Sequence, residues 1–167
     1  MISRKIVLVG DFATGKTSLI RRFVDDQFSD TYLSTIGVKI SKKMIDLPSE
    51  CIQGIIWDIE GGTPTKPVNT TYFIGAHGCI LVADITRNET LENVGSYIEL
   101  VREKTATAPL IIVLNKSDMI EDESAQEVLL LAKEKYADKV EAFFLTSAKT
   151  GRGVEEMFHT LAEKMLG

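Results

Sequence analysis

Apolar residues along this chain fall in short continuous runs that alternate with amphipathic stretches. The strand-like runs lie at about residues 4–9, 38–46, 51–57, 78–84, 110–115 and 141–146. Between them, helical spacing of apolar positions predicts helices over about 16–25, 88–104, 122–136 and 153–166. Leu91, Val94, Ile98 and Val101 mark one face of the second helix, and Ala125, Val128, Leu129 and Ala132 one face of the third. Leu47-Pro48-Ser49-Glu50 has turn chemistry and predicts an antiparallel hairpin of the second and third strands. The other strands are apolar throughout, as in a parallel sheet covered on both faces. The expectation is an α/β, three-layer fold: a six-stranded, mainly parallel sheet with one antiparallel strand, helices on both faces, in one domain over 1–167. Ligands of such sheets bind at the carboxyl ends of the strands.

Composition narrows the function classes. The 167 residues are 44% hydrophobic, enough for an ordinary core. A net charge of −5 argues against a nucleic-acid partner, and basic clusters such as Lys39-Ile40-Ser41-Lys42-Lys43 are short. The longest apolar runs are too short to span a bilayer. Residue 2 is Ile2 rather than the glycine of a myristoylation signal. A cytoplasmic monomer is expected, peripheral to a membrane only if a lipidated tail follows Gly167. Cys51 and Cys79 lie in strand-like segments with no Cys or His at ligand spacing, so both are expected to be buried, reduced thiols.

The first strand runs directly into Gly10-Asp11-Phe12-Ala13-Thr14-Gly15-Lys16-Thr17-Ser18, a G-x-x-x-x-G-K-T phosphate loop that opens a helix. The pattern carries its own chemistry. Backbone N–H groups from Ala13, Thr14 and Gly15 through Ser18 point at phosphate oxygens, Lys16 reaches the β- and γ-phosphates, and the Thr17 hydroxyl ligates Mg²⁺.

Asn115-Lys116-Ser117-Asp118 follows the fifth strand. The Asp118 carboxylate can accept from both N1–H and N2–H₂ of guanine, a donor pair that adenine lacks. Asn115 can bind the other edge of the base or brace the loops, and the Lys116 stem can lie along the ring. Thr146-Ser147-Ala148-Lys149 follows the last strand, and its Ala148 amide can meet guanine O6. Trp57-Asp58-Ile59-Glu60-Gly61 supplies D-x-x-G, with Asp58 placed to hold Mg²⁺ through water and Gly61 to bring an N–H to the γ-phosphate. Thr35, in Tyr32-Leu33-Ser34-Thr35-Ile36-Gly37, is a second hydroxyl candidate for Mg²⁺, and Phe28 a candidate for edge contact with the base.

On these residues the chain resembles the Ras superfamily of small GTPases, its Rab branch above all. The resemblance is nearly full length and rests on GDFATGKTS, Thr35-Ile36-Gly37, WDIEG, Ile74-Gly75-Ala76-His77-Gly78, NKSD and TSAK. It implies a P-loop NTPase G domain that binds GTP or GDP with Mg²⁺ and hydrolyses GTP. Lys16, Thr35 and Gly61 would stabilise the γ-phosphate, and effectors, an exchange factor and an activating protein would dock through segments 28–40 and 58–73.

The chain also departs from the family. Gly62 stands where the family has the Gln that orients the attacking water, Glu60 where it has Ala, and Phe12 where it has Gly or Ser. No Arg lies between Phe28 and Thr35 to serve in cis. Glu60 and Thr63 are the substitutes at hand for the missing Gln. Pro64 and Pro67 predict an irregular loop over 63–67, and Ile40 replaces one of three aromatics that Rab proteins use, the others matching Trp57 and Tyr72. The leading reading is a nucleotide switch with slow hydrolysis. A GTP-binding pseudo-GTPase that serves as an interaction module is the alternative, and a P-loop kinase of a small molecule a weaker one.

Overall fold

Alternate residues of each central strand face opposite sides of one sheet, and that alternation builds two cores. Strands β1 (Ile2–Val9), β2 (Val38–Asp46), β3 (Cys51–Ile59), β4 (Gly78–Asp84), β5 (Leu110–Asn115) and β6 (Ala142–Leu145) lie in the order β2-β3-β1-β4-β5-β6. β2 runs antiparallel to β3 and every other pairing is parallel. A computed structural model describes residues 1–29 and 34–167, so Tyr32 and Leu33 lie outside the described residues.

Ile6, Leu8, Ile80, Val82, Ile111 and Val113 point to one face. There α1 (Lys16–Asp25) and α5 (Val154–Leu166) cover them with Leu19, Phe23, Phe158 and Leu161, Phe23 and Phe158 stacking at 4.0 Å between ring centroids. Val7, Val9, Leu81, Ala83, Ile112 and Leu114 point to the other face. That face is closed by α2 (Asn88–Glu92), α3 (Val94–Lys104), α4 (Asp122–Tyr136) and the 3-10 turn Thr70–Phe73. The three layers, the mixed sheet and its single antiparallel strand are those the sequence predicts.

The differences are local. The helix predicted over 88–104 is two helices that meet at Asn93. Its backbone turns there with ψ −6°, and its side-chain amide donates to Asp11 Oδ2 at 2.8 Å. That tertiary bond leaves no trace in the apolar spacing. β3 continues past Trp57 through Ile59, because Asp58 and Ile59 still pair with Leu8, Lys39 and Val38 although Asp58 is polar. Cys51 is exposed rather than buried: Ile52, Gly54 and Ile56 take the inner face of β3, leaving Cys51 outward at its first position. Cys79 is buried and unpaired, and burial pushes its thiol up to about 12. Segment 63–67 is irregular as its prolines require, closed by a turn in which Thr63 and Lys66 exchange backbone bonds of 2.9 and 3.2 Å. His77 is structural: its Nδ1 accepts the Lys5 N–H at 2.8 Å, and its own N–H donates to the Lys5 carbonyl at 2.8 Å.

Candidate functional site

The chain reverses its direction across the sheet between β1 and β4, and ligands of such sheets settle outside the strand ends at that point. Four loops converge there, after β1, β3, β5 and β6.

The loop after β1 turns into α1 through Gly15. Its φ of 97° is left-handed, and a Cβ on it would stand 2.3 Å from the Asn115 amide nitrogen, so only glycine fits. Lys16 is 5% exposed and curls under this loop, its ammonium donating to the carbonyls of Asp11 at 2.8 Å and Gly10 at 3.3 Å. Burial lowers its pKa to about 8, with the Arg87 guanidinium pushing the same way and the Asp58 and Asp11 carboxylates opposing. A buried ammonium with so depressed a pKa is poised for an anion.

Thr17, Thr35 and Asp58 meet beside it. Thr17 Oγ1 donates to Asp58 Oδ2 at 2.6 Å, Thr35 Oγ1 donates to the same oxygen at 3.1 Å, and the two hydroxyls are 2.6 Å apart. Asp58 Oδ1 is buried and has no hydrogen-bond partner among the described residues. Burial raises the Asp58 pKa, against the Thr17 and Thr35 hydroxyls and the Lys16 charge. Hard oxygen donors around an unsatisfied carboxylate oxygen suit a magnesium ion. The cavity is lined by Phe12, Ala13, Gly15, Lys16, Thr17, Ser18, Ser34, Thr35, Ile59 and Gly61. Glu60 and Thr63 face elsewhere. Glu60 lines a separate cleft with Gly37, Lys66 and Tyr72, and Thr63 a groove against α3.

The loops after β5 and β6 form the neighbouring wall. Asn115, 1% exposed, donates from Nδ2 to the Thr14 carbonyl at 3.0 Å and accepts the Thr146 hydroxyl on Oδ1 at 3.0 Å. Both of its polar ends therefore brace loops. Lys116 donates to the Ala13 carbonyl at 3.0 Å and pairs with Asp84 Oδ2 at 2.8 Å. Ala13 and Lys116 each hold a left-handed φ of 66°, so this bond joins two backbone positions that non-glycine residues rarely adopt. Asp118 is exposed, and its Oδ1 accepts the Ser147 hydroxyl at 2.7 Å. Arg22 of α1 donates to the carbonyls of Ala148 at 2.8 Å and Lys149 at 2.6 Å, fixing the loop after β6. Phe28 is 38% exposed.

Several supporting residues escape sequence reasoning. Arg22 acts across 126 positions of the chain with no local signal. Tyr97, within the apolar stripe of α3, donates its hydroxyl to Asp11 Oδ1 at 2.6 Å. Arg87 donates to the Phe12 carbonyl at 2.8 Å. Asp84 had a usable signal, being a carboxylate that ends a fully buried strand at the binding edge.

The Ras family sequence model matches residues 5–167. The Ras-related protein Rab-13 of Mesocricetus auratus is 37% identical over 164 residues, covering 97% of this chain and 79% of that protein. Ras-related protein Rab-1A of Dictyostelium discoideum is 37% identical over 164 residues, 96% of this chain and 79% of that protein. The GTP-binding protein ypt1 of Schizosaccharomyces pombe is 34% identical over 163 residues with the same coverage.

Proposed function

Since the chain belongs to the Ras family, we propose that its converging loops bind GTP or GDP with Mg²⁺ and that its hydrolysis of GTP is slow. Lys16 and the N–H groups of residues 13–18 would hold the phosphates, and Asp118, Ser147 and Ala148 the base, with Asn115, Lys116 and Lys149 shaping that pocket. Phe28 would flank the base. Thr17, Thr35 and Asp58 would hold the magnesium ion, which when bound neutralises phosphate charge. Gly61, where an added Cβ would stand 2.5 Å from Phe12 Cα so that only glycine fits, would bring its N–H toward the γ-phosphate.

The observation that carries slow hydrolysis is the lining of the phosphate cavity. Among its described residues Lys16 is the only titratable side chain, and there is no carboxamide, imidazole or carboxylate to orient a water. Phosphoryl transfer to water depends on that orientation, on charge neutralisation and on little else from the protein. Lys16 supplies charge, and Gly62 supplies no side chain. A P-loop kinase of a small molecule would leave Asn115–Asp118 and Thr146–Lys149 without a role, which supports the nucleotide switch over it. Partners would dock on the face where Ile36, Ile40 and Ile74 are exposed beside Trp57 and Tyr72, whose rings lie 6.0 Å apart.

Single-turnover hydrolysis of bound GTP tests the reading, with at or below about 10⁻⁴ s⁻¹ expected. A rate on the order of 10⁻² s⁻¹, that of a relative with its arginine in cis, would overturn it. GTP rather than GDP in the purified protein would agree with slow turnover. No turnover at all would leave the interaction-module alternative.

A further inference from the structure

The chain does not leave the sheet where β3 ends. Glu60 donates its N–H to the Gly37 carbonyl at 2.8 Å, and its Oε2 accepts the Gly37 N–H at 3.3 Å. Two residues on, the Gly62 N–H donates to the Gly10 carbonyl at 3.1 Å and its carbonyl accepts the Phe12 N–H at 2.9 Å. The segment therefore bonds first to the β2 side and then to the β1 side, and Asp11 and Gly62 form a parallel bridge one residue out of the β1–β3 register, in which Leu8 faces Asp58. The Thr63–Lys66 turn then folds back, and Lys66 Nζ pairs with Glu60 Oε1 at 3.2 Å and Oε2 at 3.1 Å.

One carboxylate thus joins the segment that precedes β2, the segment that follows β3 and the turn beyond. Lys66 is 68% exposed, so that ion pair alone adds little. The backbone bonds and the Gly37 contact carry the coupling, and the carboxylate unites them. Every one of these bonds runs between protein atoms, so cleaving a γ-phosphate breaks none of them.

We propose that Glu60 is a positioning residue that ties residues 36–38 to residues 60–66, so that these two segments remain docked in the diphosphate state as in the triphosphate state. This inference rests on the site binding a guanine nucleotide. It makes the chain one whose partner face persists after hydrolysis.

Hydrogen exchange followed by mass spectrometry on the full chain tests it, with GDP or an imido-bridged GTP analogue loaded and occupancy measured by chromatography. Segments 34–40 and 60–68 are expected to exchange within about twofold of each other in the two states of the wild-type protein. Glu60→Ala should make both segments exchange about tenfold faster with GDP than with the analogue. Glu60→Gln, which keeps an acceptor for the Gly37 N–H, should stay near wild type, a rescue that a purely ionic role would not give. Lys66→Ala, at an exposed position, provides a variant whose folding is not at issue, and a rise of about twofold is expected over 60–68 with GDP. Wild-type segments that already exchange tenfold faster with GDP, or a Glu60→Ala variant indistinguishable from wild type, would overturn the proposal while leaving nucleotide binding intact. A chain that retains no guanine nucleotide at all would overturn the nucleotide reading itself, and the proposal with it.

Discussion

The Tyr97 hydroxyl oxygen stands 2.5 Å from the place where a Cβ on Gly62 would sit. A side chain at position 62 therefore requires Tyr97 of α3 to shift, although its hydroxyl is held by Asp11 at 2.6 Å. Val68 closes the same space at 3.0 Å. Gly62→Gln is therefore expected to lower stability by about 1–3 kcal/mol, the usual effect of overpacking, without raising the hydrolysis rate. Tyr97→Phe removes the obstructing oxygen, so the double variant should recover part of that loss. Denaturant melts of the singles and the double check this, and additive losses would mean that the two positions do not collide.

The Asp118 Oδ1 accepts the Ser147 hydroxyl at 2.7 Å, and in the proposed base site its second oxygen would meet the base. Asp118→Asn replaces an acceptor by a donor opposite N1–H and N2–H₂ of guanine. GDP affinity should fall by at least about tenfold and preference should move toward xanthosine diphosphate. Competition titrations with fluorescent nucleotides measure both, and unchanged GDP affinity would remove Asp118 from the base site.

Lys16→Ala removes a buried ammonium whose pKa burial has lowered to about 8. Its protonated form is already disfavoured in the fold, so the melting temperature should move by only a few degrees. Triphosphate affinity should fall by about a hundredfold or more, because a charge-assisted contact to phosphate is lost. Calorimetry and thermal melts on the same sample separate the two effects. A large loss of stability with affinity preserved would make Lys16 a structural residue.

His77 gives a pH dependence of known sign. Its Nδ1 accepts the Lys5 N–H, which requires the neutral ring. Burial lowers its pKa, and the charges of Arg4 and Lys5 act in the same direction. The unfolded chain then binds the proton more readily, so the stability this bond contributes is present above the unfolded value of about 6.5 and declines as pH falls through the lower folded value. Unfolding curves of wild type and His77→Gln between pH 7.5 and about 5 should converge toward acid. Parallel curves would dismiss the contact.

The hydrophobic pattern was enough for the layers, the six strands and the hairpin, because burial on one face or both writes a local period into the chain. The phosphate loop, Asn115–Asp118 and Thr146–Lys149 were legible because each keeps its residue types at a fixed local spacing, although Asn115 and Lys116 meet the distant Thr14 and Ala13 carbonyls only in the fold. What the sequence could not carry are contacts between distant positions. Asn93, where one helix gives way to the next, donates its amide to the distant Asp11. Arg22 meets Ala148 and Lys149 across the sheet. The sequence shows Gly62 as a missing side chain, whereas tertiary packing shows a position that Tyr97 fills from behind. Glu60 and Thr63 flank Gly61 and Gly62 along the chain, yet both turn away from the phosphate cavity, Glu60 toward Gly37 and Thr63, at the start of the turn to Lys66, toward α3. Local spacing specifies which groups a loop can offer, and only the packing of separate elements decides which way those groups point.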